Sequence, residues 1–370
     1  MTFDDLVVLV PGFLGFSRTG GYYYFADRLS AALRGGLETA LRRPVPVVPA
    51  CTLPLDHLAA RQQYLMSEVR GIIDRAGGVK RVHLVGHSAG GVDAQLATCD
   101  QPLASDRWGA DDERLRDKIA SVVGIAAPHH GTCLADAPVA DLLADPLRHM
   151  HHLPELVPLL LQLSQAVVRW DSAPVIGTNA LMDLPDSARF LWEVLASRGL
   201  IYDLSPRAMA AVRNRSRSSR NIPLRSFVTT TAVHVEAEAF FRELRAMTAD
   251  TSRSPAQPTQ HRAAEVLREA ASGAIQSGGD APTFNDSDND GVVNSVRQLL
   301  RPDDPKELAG IVVCDHADVL GHYNRTDALI DDEPLNRGLF RSGSAFGDDQ
   351  FFELCREVTR VLVEVVRTHE

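Results

Sequence analysis

The sequence has no stretch approaching the ~18 apolar residues that a membrane-spanning helix needs, which argues against a transmembrane segment. Cysteine is sparse. The five residues Cys51, Cys99, Cys133, Cys314 and Cys355 are odd in number and scattered. No CxxC or other close pair suggests a zinc or redox motif, so buried free thiols are the expectation. An excess of positive charge is also missing. Lys and Arg number 38 against 48 Asp and Glu, a formal net charge of −10 that argues against a nucleic-acid partner. Residues 1–10 lack the basic segment and the apolar segment of a secretion leader. The expectation is a cytoplasmic protein, with a secreted mature form as the alternative. No internal repeat is visible.

What is present is enough for a substantial core. Of 370 residues, 45% are hydrophobic and 23% charged, which excludes a disordered chain and leaves room for one large α/β domain with insertions. Residues 6–10 read Leu-Val-Val-Leu-Val, a continuous apolar run suited to a strand covered on both faces. A helical stretch follows at 26–33, and a second strand at 45–48. Leu65, Val69, Ile72 and Ala76 then fall on one helix face, stopped by Gly77-Gly78. Strands at 81–85 and 119–126 enclose another helix that starts after Ser88. This β-α-β-α order predicts a parallel, doubly wound sheet.

The middle differs. Leu156, Leu159, Leu160, Leu163 and Val167 recur at helical spacing, so residues 137–200 are expected as a helical cap or lid inserted over the sheet. A short helix at 204–212 and a return strand at 224–230 follow. Residues 251–260 are polar with two prolines and are expected as a linker, before a helix at 263–275 and a strand at 311–313. The chain closes on an amphipathic helix with Phe351, Leu354, Val358, Val361 and Val365 on one face.

Gly86-His87-Ser88-Ala89-Gly90 matches G-x-S-x-G and lies between a predicted strand and a predicted helix. That context is required of a nucleophile elbow, where the serine sits on a tight, strained turn and the residues two before and two after must be small. Ser88 is therefore the candidate nucleophile. Acyl transfer also needs two preorganised N–H donors for the developing oxyanion. The backbone N–H of Ala89 is one candidate. The other is the N–H of Phe13, in the Pro11-Gly12-Phe13 turn after the first strand. Leu14, Phe16 and His87 are the candidate substrate-binding residues.

Three segments together resemble the bacterial triacylglycerol lipases and esterases of the α/β-hydrolase superfamily: Pro11-Gly12-Phe13-Leu14-Gly15, Gly86-His87-Ser88-Ala89-Gly90, and Ala127-Pro128-His129-His130-Gly131. Pro11 departs from the histidine usual there. The resemblance implies an α/β-hydrolase fold, a mostly parallel sheet flanked by helices, in one domain over 1–370. It also implies the chain order serine, acid, histidine. Asn-Asp-Gly-Val-Val at 289–293 resembles the lipase acid loop and makes Asp290 the candidate acid. The same segment opens like a calcium loop, but Arg297 occupies the position where an EF-hand needs its bidentate Glu. His316, 26 residues after Asp290, resembles the lipase His-x-Asp loop and is the candidate base, with His322 as competitor. In those lipases the Asp two residues after the histidine binds a structural Ca²⁺, which points to Asp318. No cofactor is required for the chemistry.

The expected function is hydrolysis of hydrophobic carboxylic esters, of small-molecule or lipid type, through an acyl-enzyme. Thioester hydrolysis, acyl transfer and polyester cleavage are the alternatives the same triad would serve.

Overall fold

The computed structural model describes residues 3–13, 15, 18–19, 22–137, 199–216, 222–231, 239–277, 281–321, 323 and 345–369. Most of 137–200, the expected cap, lies outside the described residues, as do Leu14, Phe16 and His322.

Among the described residues, six parallel strands form the central sheet, in the order β4-β1-β5-β6-β7-β8. They are β1 (Phe3–Val10), β4 (Val47–Pro49), β5 (Val79–His87), β6 (Ile119–Ile125), β7 (Leu224–Thr230) and β8 (Leu308–Val313). A two-residue pair, β2 (Arg18–Thr19) and β3 (Tyr22–Tyr23), sits apart. Parallel neighbours need crossover connections, and these put helices on both faces. The apolar run of β1 is explained by that sandwich. Val7 and Leu9 enter one core and Leu6, Val8 and Val10 enter another. Period-2 alternation thus sends every second side chain to each layer.

One layer contains α1 (Asp27–Leu41) and the C-terminal helix, here α9 (Asp348–Thr368). Phe351, Leu354, Val358, Val361 and Val365 of α9 are all buried, as their spacing predicted, and the first four join Leu29, Leu33 and Leu37 of α1. Each such side chain contributes about 1.5–3 kcal/mol by leaving water. The opposite layer contains α2 (Leu58–Arg75), α3 (Ala89–Leu96) and α4 (Ala110–Arg116), with Leu65, Met66, Val69, Ile72 and Leu115 against the sheet.

Beyond the cap region the chain re-enters at α5 (Gly199–Asp203) and α6 (Pro206–Arg215), and α7 (Ala239–Ala249) and α8 (Pro258–Ala270) lie between β7 and β8. Helix α8 begins inside the expected linker. Pro258 is its first residue, where the missing N–H costs nothing. Among the described residues no helix is long and apolar enough to cross a membrane. None of the five cysteines is in a disulfide.

Candidate active site

Strand β5 delivers His87 and α3 starts at Ala89, leaving Ser88 alone to turn the chain. Its φ of 55° and ψ of −133° lie where an L-residue is strained, at a cost of about 1–3 kcal/mol. Packing enforces that conformation. The Ser88 N–H donates to the Ile125 carbonyl at 2.9 Å, and its own carbonyl accepts from Gly91. A Cβ on Gly86 would lie 2.3 Å from the Gly90 carbonyl oxygen, and one on Gly90 2.2 Å from the Val10 carbonyl oxygen. Only glycine fits either place, which is the steric requirement of the elbow.

The turn after β1 is pressed against that elbow because Val10 is in register with Gly86. A Cβ on Gly12 would come within 2.7 Å of both the Ser88 Cβ and the His87 carbonyl oxygen. Phe13, the next residue, packs with Leu55, Leu58, Ala89, Leu200 and Leu204 in an apolar cluster beside the elbow. Ala89 is the first residue of α3, and first-turn N–H groups have no partner within their helix.

Two residues that the sequence reading missed hold this turn. Arg61, on α2, and Asp93, on α3, are wholly buried, with Nη2 and Oδ2 2.6 Å apart. The same Arg61 Nη2 donates to the Gly12 carbonyl at 3.1 Å and to Thr52 Oγ1 at 3.0 Å. Arg61 Nη1 donates to the carbonyls of Leu53 and Pro54. Burial pushes the Asp93 carboxyl above the usual range, against the pull of the guanidinium. The signal in the sequence was an arginine one turn before Leu65 on the apolar face of α2, and an acid within the otherwise uncharged run after Ser88.

The acid and histidine come from loops beyond β7 and β8. Asp290 is fully buried. Its Oδ1 accepts from the N–H groups of Val292 (3.0 Å) and Val293 (2.8 Å). Its Oδ2 accepts from the Thr229 hydroxyl and meets His316 Nδ1 at 2.8 Å. Burial alone would raise this carboxyl, but the His316 imidazole and these donors hold it below the usual range. An ionised carboxylate only accepts, so His316 Nδ1 carries the proton. That leaves Nε2 of the neutral ring as the basic atom. The His316 backbone N–H returns to the Asp290 carbonyl at 2.9 Å, so the two loops are tied twice.

His87, expected as a substrate-binding residue, lies inside the protein. Its ring is 2% exposed, and both nitrogens are engaged inside the protein. Nε2 lies 2.8 Å from the His316 carbonyl oxygen and Nδ1 2.7 Å from the Tyr24 hydroxyl. Its ring centroid is 4.7 Å from that of His316. Burial among apolar side chains, reinforced by the nearby His316, pushes His87 down to about 3, so it stays neutral. Tyr24 itself is buried in the core that includes Phe25 and Leu29.

Asp318 is buried, and its Oδ2 accepts the Asp315 N–H at 3.1 Å, while Asp315 Oδ1 takes the N–H groups of Ala317 and Asp318. Among the described residues no group of three or more His, Cys, Asp or Glu side chains converges to hold a metal ion. The Asp318 carboxylate thus caps the turn that begins at Asp315. Arg213, near the end of α6, donates to the His129 carbonyl at 3.2 Å.

No protein-family model matches the sequence. A triacylglycerol lipase of Pseudomonas fragi is 29% identical over 130 residues, 35% of this chain and 36% of that protein. The match thus spans about a third of the relative's length. Among solved structures, Staphylococcus hyicus lipase superposes with a TM-score of 0.52 at 15% identity, covering 99% of this chain and 96% of that one. Lipase 1 from Pelosinus fermentans gives a TM-score of 0.51 at 14% identity, covering 97% and 99%. In fold this chain is an α/β-hydrolase, and about a third of its sequence is similar to that of a triacylglycerol lipase.

Proposed function

We propose that the protein is a serine carboxylic-ester hydrolase that acts on hydrophobic acyl esters through an acyl-enzyme. The observation that carries this reading is the strained Ser88 at the end of β5, pressed against Gly12 of the turn after β1 and next in sequence to His87, whose ring lies 4.7 Å from that of the Asp290-paired His316. A serine held in that conformation offers its Oγ to a bound ester. His316 Nε2 takes the Oγ proton as the oxygen attacks the carbonyl carbon. The N–H groups of Phe13 and Ala89 receive the developing oxyanion. Collapse of the tetrahedral intermediate expels the alcohol, protonated by His316, and leaves the acyl group on Ser88. Water, deprotonated by the same Nε2, then attacks the acyl-enzyme and releases the acid. Asp290 keeps the imidazole in the productive tautomer and stabilises the imidazolium. Nucleophile, base and oxyanion donors all come from the chain, so the reaction as drawn needs no cofactor. The apolar cluster around Phe13, with Leu55, Leu58, Leu200 and Leu204, supports a hydrophobic acyl group over a polar one.

The test is hydrolysis of a series of p-nitrophenyl esters from short to long acyl chains, with Ser88→Ala and His316→Ala beside the wild type. Activity abolished in both variants, with a preference for longer chains, is the expected result. Wild-type hydrolysis no faster than Ser88→Ala on every ester would overturn the reading.

A further inference from the structure

One buried chain of hydrogen bonds joins three parts of the site that the proposed reaction treats separately. It begins at the Tyr24 hydroxyl, packed so close to the oxyanion turn that a Cβ on Gly12 would lie 2.8 Å from it. The Tyr24 hydroxyl lies 2.7 Å from His87 Nδ1, and His87 Nε2 lies 2.8 Å from the His316 carbonyl oxygen. The proton positions follow from the chemistry of the ends. A carbonyl has no hydrogen, so His87 Nε2 must be the donor. His87 is neutral, so its Nδ1 is bare and accepts from Tyr24. Both donors therefore point the same way, from Tyr24 beside the oxyanion turn through the residue before the nucleophile to the backbone of the base. Bonds aligned head to tail polarise one another and stiffen the geometry they share.

We propose that Tyr24 and His87 are positioning residues, which set the His316 backbone and ring relative to Ser88 and the oxyanion turn through this relay. The inference rests on the ester-hydrolase reading above. His316 sits on a loop, tied through both its ring and its backbone N–H to Asp290 on one side. A loop residue tethered on one side alone keeps freedom to swing, and a misplacement of about 1 Å costs on the order of a hundredfold in rate. The bond to its carbonyl and the 4.7 Å ring contact with His87 supply the second restraint. Because His87 is neutral and stays so while His316 gains and loses its proton, the restraint is constant through the cycle.

The test combines kinetics with ring spectroscopy. His87→Leu removes both bonds; His87→Gln offers an amide N–H to the His316 carbonyl and an oxygen to Tyr24; Tyr24→Phe removes the upstream bond alone. The expected result is a kcat lowered by about 10- to 100-fold in His87→Leu with KM nearly unchanged, and largely restored in His87→Gln. Tyr24→Phe has a smaller effect, and the double variant with His87→Leu is no slower than His87→Leu, because Tyr24 acts through His87. Folded His87→Leu with wild-type kcat, or additive losses in the double variant, would overturn the proposal. Fluorophosphonate labelling of wild-type Ser88 is run alongside, and absence of labelling would count against the hydrolase reading. In that event ¹⁵N imidazole spectra still decide the relay. His316 ring resonances that shift in Tyr24→Phe support it, and resonances left in place refute it.

Discussion

Arg61 and Asp93, neither exposed to solvent, meet at 2.6 Å between the helix that precedes β5 and the helix that follows Ser88. The pair does more than neutralise two buried charges, because the same guanidinium holds the Gly12 carbonyl of the oxyanion turn. Removing one partner strands the other in a medium that cannot solvate it. Asp93→Ala is therefore expected to lose about 3–5 kcal/mol of stability, by urea unfolding. Replacing both, as Arg61→Met with Asp93→Leu, is expected to cost clearly less stability than Asp93→Ala. That double variant is still expected to lose esterase activity, since the guanidinium no longer holds the Gly12 carbonyl. Full activity in it would show that the turn is held by other means.

Asp290→Asn keeps the size of the side chain but not its charge. The amide accepts fewer of the donors that converge on Asp290, and His316 no longer has a reason to protonate Nδ1. A kcat reduced by roughly 10³–10⁴ is expected, with the fold retained by circular dichroism. A fall of less than tenfold would mean that another group orients the imidazole.

Three histidines, His87, His129 and His130, are buried and pushed down to about 3, in each case mainly by burial. In the unfolded chain they titrate near pH 6.5. Between about pH 6.5 and 3 the unfolded state therefore binds more protons than the folded one, and stability falls as pH falls. Each histidine contributes up to about 1.4 kcal/mol per pH unit over that window. His129→Leu is expected to remove about a third of this pH dependence in urea unfolding followed between about pH 7 and 5. An unchanged slope would place the protonation elsewhere.

A second acid-histidine-serine arrangement lies in the sheet itself. Asp5 Oδ1 on β1 is 3.1 Å from His83 Nε2 on β5, whose Nδ1 is 2.8 Å from Ser121 Oγ on β6. All three are buried, and Arg43 and Arg81 also pair with Asp5. With no access for a substrate, this network pins three strands. Burial raises the Asp5 carboxyl, but His83 and the two arginines outweigh it and hold it well below the usual range. Its stabilisation is therefore present above the ordinary carboxylate pKa and is lost as pH falls below it. Asp5→Asn is expected to cost about 2–3 kcal/mol near neutral pH, a difference that shrinks in acid, while kcat on esters is kept. Loss of catalysis in a folded Asp5→Asn would contradict a purely structural role.

Much of this was legible in local pattern. Continuous apolar strands, helix faces at 3.6-residue spacing and glycines at Gly86 and Gly90 are constraints that act within a few residues, so they show in the order of the letters. The proposed acid and base were read from short loops that resemble those of lipases, and the fold brings Asp290 and His316 to 2.8 Å. The start of α8 was misplaced because a proline that breaks a helix interior is welcome at its first position.

The role given to His87 shows the limit of such reading. A histidine beside a candidate nucleophile reads equally well as substrate contact or support, and only the positions of Tyr24 and His316 decide. Arg61 and Asp93, 32 residues apart, carry no mutual signal in the chain. By itself the sequence determined the alternation that makes a doubly covered parallel sheet and the small residues that make the elbow. Tertiary structure alone decided which polar groups meet in its interior. Hydrophobic patterning repeats along the chain and needs no particular partner, whereas a buried hydrogen bond needs two groups at one distance and angle, and that is settled only when the whole chain is packed.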